Sequence, residues 1–97
     1  MRYKIELTPQ SDEDLLEIIT FIAMDSISDA IKVNNEILDR IEALSRMPAR
    51  YPAYTEDPDY RKMVVGSSFA VYYLIDEMHH IVKIARIYRT ERNIGKV

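Results

Sequence analysis

The spacing of the hydrophobic residues changes once along the chain, and this change limits the folds that the chain can adopt. Up to about residue 48, apolar residues recur every three or four positions, as they do on the buried side of a helix. From residue 60 onward they form short runs rich in β-branched and aromatic residues, separated by turn residues. Helices followed by strands indicate an α+β domain.

A short strand and a helix are predicted at the N-terminus. Apolar and polar residues alternate over residues 3–8, which is typical of a strand. Thr8 can cap a following helix, and Pro9 suits the first helical position. We expect this helix to run from Pro9 to about Met24. Its predicted apolar stripe comprises Leu15, Leu16, Ile18, Ile19, Phe21 and Ile22.

A second helix is predicted soon after the first. Ser28 is the expected cap, Asp29 lies in the first turn, and Pro48 ends the pattern. Because the break between the two helices is short, they should form an antiparallel hairpin. The apolar seam of this helix is predicted to comprise Ala30, Val33, Ile37, Leu38, Ile41 and Leu44.

The second half of the chain predicts three consecutive strands, at residues 60–65, 68–76 and 81–88. Short turns at residues 66–67 and 77–80 join them, so they should form an antiparallel meander. The predicted order is therefore β-α-α-β-β-β, with the helical hairpin packed on one face of a small, mainly antiparallel sheet. A chain of 97 residues should form one domain, so residues 1–97 are predicted to fold together.

Composition excludes several classes of protein. The chain has no cysteine, which rules out disulfides and thiolate metal sites. Its N-terminus has no apolar segment of the kind found in signal peptides, and no apolar run approaches the roughly 20 residues of a membrane helix. We therefore expect a cytoplasmic protein that makes no membrane contact. A formal net charge of -3 also argues against direct, non-specific binding of nucleic acid.

The C-terminal segment is basic, unlike the rest of the chain. From residue 81 onward there are five basic residues, Lys83, Arg86, Arg89, Arg92 and Lys96, and one acid. These side chains either pair with the protein's own acids or bind an external anion.

Strand alternation assigns faces to the basic side chains of the last strand. Ile84, Arg86 and Tyr88 should share one face, and the odd-numbered residues of 83–89 the other. Arg86 should then be partly buried and paired with an acid of the first helix. The candidate acids are Asp12, Asp14 and Glu17.

Three pairs of neighbouring residues in the second half also have predicted positions. Arg61 and Lys62 should point to opposite faces of their strand, as should Tyr72 and Tyr73, of which one belongs in the core. Residues 79–80, both histidines, lie in a predicted turn without a third ligand at suitable spacing, so we expect no metal site.

Taken together, these segments resemble the RelE/ParE superfamily of bacterial toxins. The resemblance rests on the order and spacing of four segments: LTPQSDEDLLEIITFI, IEALSRMPARYPAY, YRKMVVGSSFAVYYLID and RIYRTERN. It spans nearly the whole chain and implies a helical hairpin on a compact antiparallel sheet. It also implies a type II toxin–antitoxin system in which a cognate antitoxin neutralises this chain.

The superfamily contains two mechanisms, and the resemblance favours one of them. RelE-like members are mRNA endoribonucleases that act on the ribosome; in this chain Lys62, Arg89 and Arg92 would then be the catalytic candidates. ParE-like members, which include plasmid stabilisation proteins, act on DNA gyrase without RNA-cleaving groups. Phe69 occupies the position of an arginine in the RelE pattern, and the tail lacks the tyrosine of the ribonucleases. We therefore expect a ParE-like gyrase inhibitor rather than an enzyme.

Two alternatives remain open, and one set of residues is a candidate contact surface in every case. The chain is alternatively a RelE-like ribonuclease that contacts the ribosome and mRNA, or an inactive member that serves only as a binding module. No cofactor is expected under any of these readings. The predicted contacts with target or antitoxin are Arg61, Lys62, Arg86, Arg89 and Arg92.

Overall fold

The computed structural model describes residues 2–90, so Arg92 and Lys96 lie outside the described residues. Within this range the fold has two helices, a 3-10 turn and five strands. The elements in chain order are β1 (Lys4–Leu7), α1 (Pro9–Ala23), α2 (Ile27–Ala43), the 3-10 turn (Pro48–Arg50), β2 (Ala53–Tyr54), β3 (Asp57–Val65), β4 (Phe69–Asp76) and β5 (Ile81–Arg89).

The strands form one five-stranded sheet in the order β1-β5-β4-β3-β2. The meander of β3, β4 and β5 is antiparallel, as predicted, while β1 pairs with β5 in parallel. The predicted α+β class and the mainly antiparallel sheet are therefore confirmed. The sequence did not indicate β2, because two residues are too few to show an alternating pattern.

Side-chain caps define where the two helices begin. Thr8 caps α1 as predicted: its backbone is extended, and its hydroxyl accepts the N–H of Ser11 at 3.1 Å. For α2 the prediction of Ser28 was wrong, because the cap is Ser26. The extended backbone of Ser26 (φ -156°) allows its hydroxyl to accept the N–H of Asp29 at 3.1 Å, whereas Ser28 already lies within the helix.

The core lies between the helical hairpin and the inner face of the sheet, which we define as the face that the helices cover. Tyr73, Ile37, Ile41 and Leu44 are fully buried there. Leu15 is the buried hydrophobic residue of α1, and its predicted neighbours Leu16 and Phe21 are exposed instead. The remaining fully buried sheet residues are Met63, Val65, Val71, Val82, Ile84 and Ile87.

A β-bulge in β5 changes which residues share a face. Tyr72 pairs with Arg86, whereas Tyr73 pairs with Ile84, so Ala85 is an extra residue in β5. Ile84 and Ile87 consequently both face the core. The predicted alternation was therefore wrong beyond Ala85, because a bulge shifts the two-residue period by one position.

Candidate functional site

The outer face of the sheet, opposite the helices, presents a row of basic and aromatic side chains. Lys62 of β3 pairs with Tyr72 of β4, and Tyr72 pairs with Arg86 of β5, so the three residues are in register across the sheet. An open groove of about 620 Å³ lies over this face. We call it the sheet-face groove; its lining includes Tyr54, Tyr60, Tyr72, Lys83, Arg86 and Tyr88.

Three tyrosine rings form a continuous row along this groove. The ring of Tyr72 lies 5.0 Å from that of Tyr54 and 5.6 Å from that of Tyr88, and both pairs are edge-to-face. The Nζ of Lys62 lies 6.0 Å and 5.8 Å from the centroids of Tyr54 and Tyr72. The guanidinium of Arg86 lies 4.8 Å from the centroid of Tyr88. Arg86 is therefore in close cation–π contact with Tyr88, whereas Lys62 lies at the outer limit of such contacts, about 6 Å.

Asp14 of α1 binds Arg86 and the adjacent backbone. Its carboxylate accepts Arg86 Nε at 2.8 Å and Nη2 at 3.0 Å, and it also accepts the N–H of Ile87 at 2.9 Å. The hydrogen bond from Arg86 is the main cause of the lowered pKa of Asp14. The predicted pairing of Arg86 with an acid of the first helix is therefore present, and Asp14 is the acid.

This ion pair determines which cations remain available in the sheet-face groove. The charge of Arg86 is compensated by Asp14, which bridges α1 to the bulged part of β5. Within residues 2–90 no ion pair joins Lys62 or Lys83 to a carboxylate. Lys83 is therefore the basic side chain of the groove lining without an ion-paired carboxylate, and Lys62 lies next to that lining, near the rings of Tyr54 and Tyr72.

Arg89 lies at the end of β5, away from the sheet-face groove. Its guanidinium lies 4.9 Å from the ring centroid of Phe21 on α1. It also lines a second hollow of about 740 Å³ between the start of α2 and the start of β4, together with Asp29 and Lys32. Arg89 is therefore placed to contact a partner bound to the helical hairpin rather than one in the sheet-face groove.

Arg61 lies at a third location. It points away from Lys62, as predicted for adjacent strand residues, and its Nη1 donates to the carbonyl oxygens of Tyr51 and Ala49. It thus holds the chain around the 3-10 turn. The structure brings Lys62 and Arg86 together on one face but places Arg61 and Arg89 elsewhere, and Arg92 lies outside the described residues.

The catalytic candidates of the ribonuclease alternative are separated, because Lys62 lies opposite Tyr72 on the outer face and Arg89 lies at the end of β5 near Phe21. Phe69 is 7% exposed and belongs to the core. His79 and His80 lie in the turn between β4 and β5, where His79 Nδ1 is 2.9 Å from Asp76 Oδ2. In residues 2–90, no group of three or more His, Asp and Glu side chains is positioned to hold a metal ion.

The outside of the helical hairpin carries an apolar surface that the sequence did not reveal. Leu16, Phe21 and Met24 of α1 are 67%, 59% and 81% exposed, and Ile27 and Ile31 of α2 are 69% and 57% exposed. We call these five residues the hairpin patch. Leu16, Phe21 and Met24 line one shallow hollow on α1, and exposed apolar surface of this kind is typical of interaction sites. For Leu16 and Phe21 the available signal was the width of the predicted α1 stripe, to which both belong.

Neither helix in the described part of the chain is long and apolar enough to cross a bilayer.

Comparison with known proteins identifies relatives of the whole fold. The family described as "ParE toxin of type II toxin-antitoxin system, parDE" matches residues 5–94. A chain of the chromosomal ParDE toxin–antitoxin system of P. aeruginosa is 18% identical with a TM-score of 0.78; the match covers 93% of this chain and 98% of that one. No curated protein matches the sequence significantly.

Two further solved structures share the fold. A chain of the RelBE2 toxin–antitoxin complex of Mycobacterium tuberculosis is 19% identical, with a TM-score of 0.72 and 93% of each chain covered. A conserved hypothetical protein of Helicobacter pylori is 17% identical, with a TM-score of 0.54; the match covers 89% of this chain and 92% of that one. At these identities the likeness shows the fold.

Proposed function

This chain belongs to the ParE toxin family of type II toxin–antitoxin systems, and we propose that it inhibits bacterial growth by binding DNA gyrase and is neutralised by a cognate antitoxin. The match of the ParE family to residues 5–94 carries this proposal. The toxin role follows from the family. Gyrase as the target is what resemblance to ParE-like members implies.

Two features of the sheet support binding rather than RNA cleavage. Phe69 occupies the position where the ribonuclease pattern has an arginine, and burial in the core keeps this position from contributing to the outer face. Arg86, the arginine that does lie over the sheet-face groove, is held by Asp14 in a two-pronged ion pair. A guanidinium so compensated is less able to stabilise the negative charge of a phosphorane.

The hairpin patch and Arg89 support an antitoxin as partner. The patch offers apolar surface to an amphipathic segment of the partner. Arg89 lies over Phe21 at the margin of that patch, where its charge can meet an acid of the same segment. Chains of the ParDE and RelBE2 systems share this fold, which is consistent with such a partner.

Charge reversal at Arg89 tests the antitoxin contact. Arg89→Glu should weaken binding of the antitoxin by about tenfold or more, because it replaces an attraction with a repulsion. Arg92→Glu is predicted to act in the same direction. Lys4→Glu, at an exposed position of β1, is the matched control. Affinities are measured by calorimetry. If Arg89→Glu and the control both bind the antitoxin as tightly as the unaltered chain does, Arg89 does not contact the antitoxin.

The position of Lys62 favours a second candidate function, ribosome-dependent cleavage of mRNA. Lys62 is a cation on the outer face, and its Nζ lies 6.0 Å and 5.8 Å from the ring centroids of Tyr54 and Tyr72, beside an open groove. A basic group at this position of the sheet corresponds to the RelE pattern. The third candidate, a binding module without toxicity, would use the same surfaces and cause no growth arrest.

Controlled expression of the chain alone in bacteria distinguishes the three candidates. Growth, integrity of mRNA and gyrase-dependent breakage of DNA should be followed in one culture. The proposal predicts growth arrest with DNA breaks and intact mRNA. Arrest with cleaved mRNA and intact DNA would favour the ribonuclease, and normal growth at a confirmed protein level would favour the binding module.

A further inference from the structure

The outward side of α1 carries a row of residues that the described part of the chain does not cover. All six members are exposed, recur every three or four positions, and line one shallow hollow of about 530 Å³. They therefore form one face of the helix, distinct from the face with Leu15 that packs on the core. We call this face the outer stripe, and its members are Glu13, Leu16, Glu17, Thr20, Phe21 and Met24.

The outer stripe has an acidic end and a basic end. Glu13 and Glu17 lie towards the start of α1, whereas the guanidinium of Arg89 lies over Phe21, 4.9 Å from its ring centroid. Glu13 is eight positions before Phe21, which is about 12 Å along the helix axis. Within residues 2–90 no ion pair joins Glu13, Glu17 or Arg89 to an opposite charge. Both charged ends are therefore available to a partner.

The apolar part of the outer stripe is complementary to itself when it is read in reverse. If two copies of α1 pack antiparallel about a two-fold axis through the middle of the stripe, Leu16 of each copy lies opposite Phe21 of the other. The same axis places Glu17 opposite Thr20, whose hydroxyl can donate to the carboxylate. A second copy of this chain thus covers the exposed apolar side chains without burying an unpaired charge at the centre.

The charged ends of the outer stripe also meet opposite charges in this arrangement. Glu13 of one copy lies opposite Met24 of the second copy, at the end of the stripe that carries Arg89. The pair forms twice, because a two-fold contact uses the same residues on both copies. Parallel packing would instead place Glu13 against Glu13 and Arg89 against Arg89, which costs free energy. Charge therefore selects the antiparallel arrangement.

We propose that two copies of this chain form a symmetric dimer through the outer stripe, with Glu13 of each copy paired with Arg89 of the other. Contact through one helix from each copy is small for a specific interface, so the dissociation constant should be micromolar. The sheet-face groove stays open in this dimer, because none of its lining residues belongs to the outer stripe. If the hairpin patch binds an antitoxin, as proposed above, antitoxin and second copy compete for Leu16, Phe21 and Met24. That consequence alone rests on the proposed function.

Sedimentation equilibrium of the full chain, purified away from any antitoxin, tests the proposal. The concentration should run from low micromolar to several hundred micromolar. We expect the average mass to rise from that of a monomer to that of a dimer. A monomer at every concentration would overturn the proposal and would leave the outer stripe to other partners. Because the readout is mass, the result does not depend on whether the chain inhibits growth.

Charge-swapped variants test the predicted pairing. Glu13→Arg and Arg89→Glu should each weaken the dimer at least about tenfold, because each places like charges opposite one another. The double variant carrying both changes should restore it, because the pair is then re-formed with its charges exchanged. Lys4→Glu, at an exposed position of β1, is the control and should dimerise as the unaltered chain does. Circular dichroism verifies that each variant is folded.

The double variant also separates the dimer from the antitoxin contact. A partner acid that meets Arg89 is repelled by Arg89→Glu in the single and the double variant alike, so only dimerisation should recover. Leu16→Ser, which removes an apolar contact without changing charge, should weaken the dimer as well. Unchanged dimerisation in both single charge variants would overturn the proposal, as would a folded double variant that stays monomeric.

Discussion

At the scale of single residues, Asp14 is the side chain that links the first helix to the last strand. Its carboxylate joins α1 to the bulged part of β5 and neutralises the arginine that lies over the sheet-face groove. The sequence predicted that Arg86 pairs with an acid of the first helix, because both this helix and the last strand were predicted. It could not select Asp14, because the choice depends on the bulge at Ala85, which no local pattern indicated.

Replacing Asp14 should destabilise the fold and free Arg86. Asp14→Asn loses the charged bonds to Arg86 and should cost about 1 to 2 kcal/mol of unfolding free energy, since the half-exposed arginine is partly screened by solvent. Asp12→Asn, in the same helical turn but exposed, is the control and should change stability little. Urea unfolding measures both. Equal stability of the two variants would contradict a role for Asp14 in holding β5.

The carboxylate of Asp14 should make the unfolding free energy decrease at acid pH. The pKa of Asp14 is lowered below its ordinary value of 3.8 in the folded state, mainly by the hydrogen bond from Arg86. The contribution of Asp14 is therefore complete above that value and is lost as pH falls through the lower, folded-state pKa. Unfolding free energies of the unaltered chain and Asp14→Asn should differ at pH 7 and converge in strong acid.

Tyr73 should make the unfolding free energy depend on pH in the alkaline range. Burial raises its pKa to about 12, and its hydroxyl donates to the carbonyl of Pro48 at 2.5 Å. Because the folded-state pKa lies above the ordinary value of 10.0, stability should be complete below pH 10 and decline as pH rises toward 12. Tyr73→Phe should remove this component of the decline. It should also cost about 1 kcal/mol at pH 7, through the unpaired Pro48 carbonyl.

At the scale of elements, helices and meander strands were predictable and irregular features were not. Thr8 followed by Pro9 is a strong start signal, and it placed α1 correctly. Ser28 was expected to cap α2, whereas the cap is Ser26, because the sequence does not show which backbone is extended. Neither β2, with two residues, nor the bulge in β5 leaves a periodic signal, so the outer-face positions of Arg86 and Tyr88 relative to Ile84 could not be derived.

The two helix caps should differ in their contribution to stability. Thr8 accepts the N–H of Ser11 and also donates to the carbonyl of Ala85 on β5, whereas Ser26 caps an exposed helix start. Thr8→Ala should therefore cost about 2 kcal/mol, and Ser26→Ala about 1 kcal/mol. Thermal unfolding of the two variants measures the difference. A larger loss for Ser26→Ala would show that the link from Thr8 to β5 contributes little.

At the scale of the whole molecule, the hairpin patch and the sheet-face groove are lined by different residues. We assign the patch to the antitoxin, and exposed apolar residues there should contribute affinity rather than stability. The double change Leu16→Ser and Met24→Ser should weaken antitoxin binding at least about tenfold, with little loss of unfolding free energy. Met78→Ser, at an exposed position in the turn between β4 and β5, should leave affinity unchanged.

The most direct test of the central claim uses the purified chain with purified DNA gyrase. Supercoiling activity and gyrase-dependent cleavage of plasmid DNA should be measured with increasing amounts of the chain, with and without the antitoxin. We predict loss of supercoiling with accumulation of cleaved DNA, and reversal of both effects by the antitoxin. Unaffected gyrase, with mRNA cut when the same preparation is added to translating ribosomes, would contradict the gyrase assignment.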